Sequence, residues 1–349
     1  MKDRNDYVSG DRVMKKRFLL GIILVAISLI ACGNSDSNDI DEMNPVVTFE
    51  PVTNSFYYDQ LNAEEVQIYE EIMELCQTYE GGQIELEEPI STNSWIRIIH
   101  TLNFDQEKHF WPLVMVYPFD KEGRTLNELS DEKTVAKLYV QLNEAIEHNP
   151  YKAFHLKESE DGVLLNEEEL LTFLKNTTLN ESYYIETSKE IETIQQQIIS
   201  GMPEDIRQKD AVLYFCNWIK DNMEYDNDVV TMQEEEENDT LLFSNAYANA
   251  SYEQCILQRK ALCGGFATIL SNLCNQVGIP SYVVIGIIDV NGVAVQHGWV
   301  AVEIGGETLY IDPTYVNSVK RMDSLVSKKQ MESRRYDGRC YIFSNSFEY

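Results

Sequence analysis

The sequence predicts an α+β fold: one buried helix against an antiparallel sheet, preceded by a smaller α+β region. Three observations predict it. Phe266, Ile269, Leu270, Leu273, Cys274 and Val277 fall on one helical face with no polar interruption. Three strand-like runs follow, "YVVIGII" (282–288), "VQHGWVAVEI" (295–304) and "ETLYID" (307–312). The last two are separated only by Gly305-Gly306, the composition of a two-residue hairpin turn.

The chain begins with a segment to set aside. Lys15, Lys16 and Arg17 precede Phe18–Ile30, an apolar run of 13 residues, which suits a signal sequence and is short for a membrane span. It ends in Leu29-Ile30-Ala31-Cys32, similar to a bacterial lipobox in which the cysteine is lipidated. Residues 1–31 are therefore expected as a lipoprotein signal peptide, and 32–55, opened by the polar "GNSDSNDIDE", as a tether. Residues 56–200 are expected as an accessory α+β region and 201–349 as the main domain.

Charge narrows the partners. The chain is net −30; six basic and three acidic residues precede Cys32, so a chain processed there carries 22 basic against 55 acidic residues, net −33. Such a chain is repelled by nucleic acid and by anionic lipid, and attachment to a membrane falls to the lipid on Cys32. The cysteines at 76, 216, 255, 263, 274 and 340 are irregularly spaced, without a disulfide framework or a zinc pattern, and no metal or cofactor is expected.

In the accessory region, Asn62 and Glu65 stand in capping-box spacing before Tyr69, Ile72, Met73 and Cys76, a helix that Gly81-Gly82 is expected to end. "WPLVMVYPF" (111–119) reads as a strand whose prolines, Pro112 and Pro118, are confined to an edge strand or to the strand's ends. Thr134–Glu147 reads as a helix. His100, His109, His148 and His155 lack metal-ligand spacing and are expected at the surface or as hydrogen-bonded core residues. Ser188–Ser200 and Ile206–Met223 read as helices, the second with Val212, Phe215, Cys216, Ile219 and Met223 in one stripe. Cys216 and Cys274 are expected as small buried apolar groups. Glu234–Asp239 is a like-charge run expected in a solvated loop.

Register brings chemistry together. A two-residue loop sets Ile304 opposite Glu307 and hence Trp299 opposite Asp312, with His297 on the same sheet face and diagonal to Asp312. Cys263 opens the buried helix, where the positive N-terminal dipole favours a thiolate. Cysteine as nucleophile, imidazole as proton carrier and carboxylate as its orienter make a thiol acyl-transfer site. Gly264 and Gly265 leave room for a backbone to approach, and the Cys263 N–H can meet an oxyanion.

These segments resemble the transglutaminase-like superfamily, a papain-related group of thiol enzymes. "KALCGGFA", "HGWVAVEI" and "YIDPTY" stand where that family has its nucleophile, histidine and aspartate, in the order Cys263, His297, Asp312 with steps of 34 and 15 residues. "AVLYFCNWIKDNMEYD" (211–226) is similar to the segment that opens the domain in bacterial members, so the resemblance covers 206–319, about a third of the chain. It implies a papain-like, transglutaminase-like core and a thioester on Cys263, with water or an amine as acceptor and a peptide or protein as substrate. It also implies an aromatic or amide side chain upstream near the oxyanion, for which Tyr225 is the candidate. The rival reading is an inactive transglutaminase-like binding or scaffold lipoprotein; a Cys-His-His endopeptidase fits less well, since no histidine follows His297. In a host that lipidates such proteins, labelled palmitate is expected on this chain and is expected to disappear in Cys32→Ala; labelling that survives the substitution overturns the lipobox reading.

Overall fold

The computed structural model of the chain describes residues 44–78, 82–105, 113–123, 131–143, 157–159, 162–164, 181–234, 250–251, 253–290, 292–315, 325–333 and 339–349. The signal segment, Cys32, His109, His148 and His155 lie outside these. Among the described residues no helix is long and apolar enough to cross a membrane.

Helix α1 (Ala63–Gln77) opens on a complete capping box. The Asn62 side chain accepts from the Glu65 N–H, and the Glu65 carboxylate accepts from the Asn62 N–H. Glu65 is also buried and receives Arg97 Nε, from α2 (Thr92–Phe104), at 3.1 Å. The helix stops at Gln77; Gly82, expected at its end, opens β1 (Gly82–Ser91) instead. With β2 (Leu113–Phe119) and β3 (Lys133–Asn143), β1 forms an antiparallel sheet in the order β1-β3-β2. Pro118 thus lies on an edge strand, where its missing N–H is tolerated. Ile68, Ile72, Cys76, Ile98 and Leu102 of the helices pack on Ile84, Ile90, Val116, Leu138 and Val140.

The helix expected over Thr134–Glu147 is corrected to strand β3. Val135, Ala136, Leu138, Tyr139 and Val140 are all buried because β3 is the central strand. A strand covered on both faces loses polar–apolar alternation and reads in sequence like a short buried helix. The β-branched and aromatic side chains decide for the strand. His100, on α2, is half-buried, with its Nδ1 buried, and desolvation of the ring pushes its pKa down to about 4, so it is a neutral group; that Nδ1 has no hydrogen-bond partner among the described residues. Two short strands, β4 (Lys157–Ser159) and β5 (Gly162–Leu164), form a separate hairpin.

The C-terminal half runs α3 (Glu181–Ser200), α4 (Gln208–Asn222), β6 (Glu224–Tyr225), α5 (Asn227–Glu234), α6 (Cys255–Gln258), β7 (Lys260–Ala261) and α7 (Cys263–Gln276). It continues through β8 (Ser281–Val290), β9 (Val293–Ile304), β10 (Glu307–Ile311), α8 (Lys328–Ser333) and β11 (Arg339–Phe343). The expected boundary at 200/201 falls after α3, whose Ile191 and Ile198 pack in the same core as α7. The sheet is antiparallel in the order β10-β9-β8-β11. The β9–β10 register is the one a two-residue loop imposes, from Ile304 opposite Glu307 to Val300 opposite Ile311. Gly305 and Gly306 both hold positive φ, 61° and 84°, as a type I′ turn requires.

The sheet's two faces differ. One carries Val283, Val300, Val302 and Ile311 against α7, α3 and α4, with Cys216 and Cys274 among the buried apolar groups. The other carries Tyr282, Val284, Trp299, Ala301 and Tyr310, covered by Met331 of α8 and Tyr341 of β11. Residues ahead of α1 fasten the halves together. Val47 is buried and donates to Ile206 O at 3.0 Å, Phe56 stacks on Tyr282 at 3.6 Å, and the Tyr57 hydroxyl donates to Val283 O. From α2, the Arg97 guanidinium donates to Ser346 O and sits 4.7 Å over the Phe347 ring.

Gly286 on β8 carries no side chain because Trp299 occupies the space. A Cβ there would come to 2.5 Å from Trp299 Cη2 and would press on the Ile342 carbonyl. Gly286→Ala is therefore expected to destabilise the protein by about 1–3 kcal/mol through overpacking, read from the urea midpoint at unchanged slope; a midpoint equal to wild type would show that Trp299 is free to move.

Candidate functional site

The site begins at the first turn of α7. The Leu262 N–H donates to Ala250 O at 2.7 Å, holding Ala250 and Ser251 against the helix start. This contact is why Gly264 and Gly265 follow Cys263. A Cβ on Gly264 would meet Ser251 O at 2.9 Å, and one on Gly265 would press on Ala250 O and reach Cys255 Sγ at 2.8 Å. The room expected at these glycines is thus filled by the chain's own backbone, and the first turn of α7 is locked in place. Cys263 is the first helical residue, so its N–H is among those with no intrahelical carbonyl to serve.

His297 and Asp312 come from the sheet. His297, on β9, is buried on the face opposite α7, ring-stacked beside Trp299. The β9–β10 ladder ends at Val300–Ile311, and Asp312 follows it directly. Asp312 Oδ2 lies 2.9 Å from His297 Nε2 and accepts from the Tyr341 hydroxyl at 2.6 Å. Its Oδ1 accepts from the N–H groups of Thr314 and Tyr315 at 2.9 and 3.2 Å. Both oxygens of a fully buried carboxylate are thereby doubly hydrogen-bonded, which offsets the cost of burying it charged.

Cys263 reaches His297 around the edge of β9. Past the last β9–β10 rung, Gly298 has no partner on β10, and its backbone N–H is hydrogen-bonded to the Cys263 sulfur. A side chain on Gly298 would lie 3.6 Å from Gly264 Cα, so helix tip and strand meet backbone to backbone. Cys263 is hydrogen-bonded to the His297 ring; because Nε2 is engaged by Asp312, this contact falls to Nδ1. His297 and Asp312 are buried, while Cys263 keeps partial exposure, so the constellation meets solvent at its Cys263 end.

Electrostatics favour the charge-separated form. Burial works against a charged His297, but the Asp312 charge and hydrogen bond, with those of Cys263, push its pKa up to about 10. Burial also raises the Cys263 thiol, and the His297 hydrogen bond and charge, helped by Gly298, outweigh it and hold the thiol below its ordinary value. Burial raises Asp312 too, but His297, Tyr341 and the Tyr315 N–H keep it below the usual carboxylate range. A thiolate–imidazolium pair next to a carboxylate can attack an acyl carbon and return a proton to the leaving atom. By contrast, burial pushes the Cys76 thiol up to about 12 and Cys255 and Cys274 also upward.

Two residues change the sequence picture. Tyr341, missed in the sequence, binds Asp312 from β11; "RCYIF" (339–343) had the β-branched and aromatic content of a strand, but nothing local tied it to a carboxylate 29 residues away. Tyr225 sits on the short strand β6, paired with β7, its ring 6.3 Å from Phe266 and packed beside Val229, Val230, Ala250 and Leu262.

Residues 192–313 match the sequence profile of the transglutaminase-like superfamily. No curated protein matches the chain. Three solved structures are similar. One is of a TGase, 17% identical over 61% of this chain and 49% of its own, TM-score 0.32. Another is a candidate cysteine protease of Cytophaga hutchinsonii, 16% identical over 62% and 65%, TM-score 0.26. The third is a candidate protease of Parabacteroides distasonis ATCC 8503, 13% identical over 66% and 39%, TM-score 0.25. This chain spans less than two thirds of each. Likeness this loose adds nothing to the family match.

The charge on His297 gives a direct measurement. In wild type the imidazole resonance of His297 is expected to stay protonated to about pH 10. Asp312→Asn removes the largest raising influence, and the midpoint is expected to fall by at least about one unit. An unchanged midpoint would show that Asp312 does not hold the charge.

Proposed function

We infer that the transglutaminase-like domain formed by residues 192–313 is a thiol acyl hydrolase or transferase acting on peptide or protein amides, with Cys263 as nucleophile, His297 as acid–base and Asp312 as its orienter. The observation that carries this is the depressed Cys263 thiol in hydrogen-bond contact with a buried His297 that Asp312 keeps charged.

The Cys263 thiolate attacks the amide carbon, the C–O π bond opens, and the oxyanion forms beside the free Cys263 N–H at the positive end of α7. His297 Nδ1 delivers its proton to the amide nitrogen, the C–N bond breaks, and the amine leaves, with a thioester remaining on Cys263. Neutral His297 then takes a proton from an incoming water or amine, which attacks the thioester carbon. Collapse expels the thiolate and restores the ion pair. Asp312 and Tyr341 touch no substrate atom in this scheme; they hold the His297 ring in its tautomer and support its charge.

Location belongs to the same proposal: the domain acts outside the cytoplasm at the bacterial cell membrane, held by lipid on Cys32. The apolar run before Cys32, the short polar stretch after it and the strong negative charge support this.

Incubation with a peptide library, with and without a primary amine, tests the chemistry. Wild type is expected to give thiol-dependent products, cleaved or amine-linked, and Cys263→Ala to lose at least about 10³-fold in rate. Equal binding by both proteins with no product from either would favour the scaffold reading.

A further inference from the structure

Helix α7 covers the sheet only part of the way. Running antiparallel to β8, it reaches its first turn where Gly298 faces Gly264, level with Ile285, whose Cδ1 lies 3.7 Å from the space a Gly298 side chain would fill. Beyond that point the same sheet face continues without the helix. Ile287 on β8 stands there 39% exposed, and its direct cross-strand partner Ile342 on β11 is 48% exposed. Their neighbours on the opposite face, Ile288 and Tyr341, are 6% and 3% exposed, so the strands themselves are well packed and only this side is open. Toward the free edge of β11, Ile342 also borders a groove of about 620 Å³ that Cys340, Phe343 and Lys328 help to line.

We propose that Ile287 and Ile342 form the subsite for an apolar side chain on the acyl side of the scissile amide. The proposal rests on Cys263 as the nucleophile and commits to the peptide that is to be acylated onto it. The direction follows from the two faces of the sheet. The leaving amine must lie by His297 Nδ1, and His297 is on the face opposite α7. With the carbonyl carbon at the Cys263 sulfur, the acyl portion extends the other way, past Gly298 and over Ile285 toward the exposed isoleucine pair. Two large exposed aliphatic groups side by side, on the sheet face that carries the helix tip and one same-face position beyond Ile285, match an aliphatic or aromatic residue, and the acidic chain disfavours an acidic one. Strand β11 then serves both ends of the site, with Ile342 under the substrate and Tyr341 on Asp312.

The test uses alkylation of Cys263, quantified by peptide mapping so that Cys340 does not interfere. In each case the thiolate displaces chloride from N-acetyl-leucine chloromethyl ketone or from its glycine analogue. The leucine reagent is expected to react at least about tenfold faster, since burying one aliphatic side chain is worth that much or more. Ile287→Ser and Ile342→Ser are each expected to bring the ratio close to unity, Ile287→Leu to retain it, and Val293→Ser, at an exposed position on the opposite face, to leave it as in wild type. A wild-type ratio near one, or one that survives both serine substitutions, overturns the subsite. The rate with plain iodoacetamide separates the two claims. If Cys263 reacts with it no faster than a model thiol, the nucleophile reading fails, while the leucine-to-glycine ratio still decides whether the shelf binds an apolar group.

Discussion

A carboxylate buried at the end of β10 sets the terms for everything around it. Asp312 is charged and fully shielded from water, a state that costs several kcal/mol unless every oxygen lone pair is met. The chain meets it from three directions: the turn after β10 offers the N–H groups of Thr314 and Tyr315, β9 offers His297, and β11 offers the Tyr341 hydroxyl. The two side-chain donors depend on different strand pairings. The hairpin register places His297, and β8–β11 pairing places Tyr341. The charge on His297 is the consequence, and through it the low thiol pKa of Cys263.

The second constraint is closeness of backbone. Helix α7 and the carboxylate–imidazole pair lie on opposite faces of the sheet, and a thiol at the helix tip meets the imidazole only where a strand ends. Gly264 and Gly298 let tip and strand touch, while Gly265 lets Ala250 and Cys255 close on the helix start. The early end of the β10 ladder frees the Gly298 N–H for the sulfur. These glycines serve geometry, not flexibility, and the space they save is used by the protein itself.

The accessory region is tied to this frame by aromatic and charged contacts. Phe56, Tyr57 and Phe347 gather around Tyr282 and Tyr349 on the sheet face away from α7, and Arg97 links α2 to the C-terminal segment. Asp105 accepts the N–H groups of Tyr57 and Tyr58, and burial pushes its pKa up to about 7. This polar link between α2 and the segment entering α1 is therefore built around a carboxyl that is partly protonated near pH 7.

Local features were legible in the sequence: the α7 stripe, the Asn62–Glu65 capping box and the Gly305-Gly306 register that puts His297 beside Asp312. These are legible because turn chemistry and the periods of helix and strand act over a few residues. The identity of β3 was not legible, since a strand buried on both faces carries no alternation. The β11 contact to Asp312, the clamp on Gly265, the passage of Cys263 around the edge of β9 and the uncovered isoleucine pair were decided by tertiary structure alone. Each depends on segments far apart in the chain meeting at a distance set by packing, and no periodicity or spacing in the sequence encodes where a helix stops on a sheet.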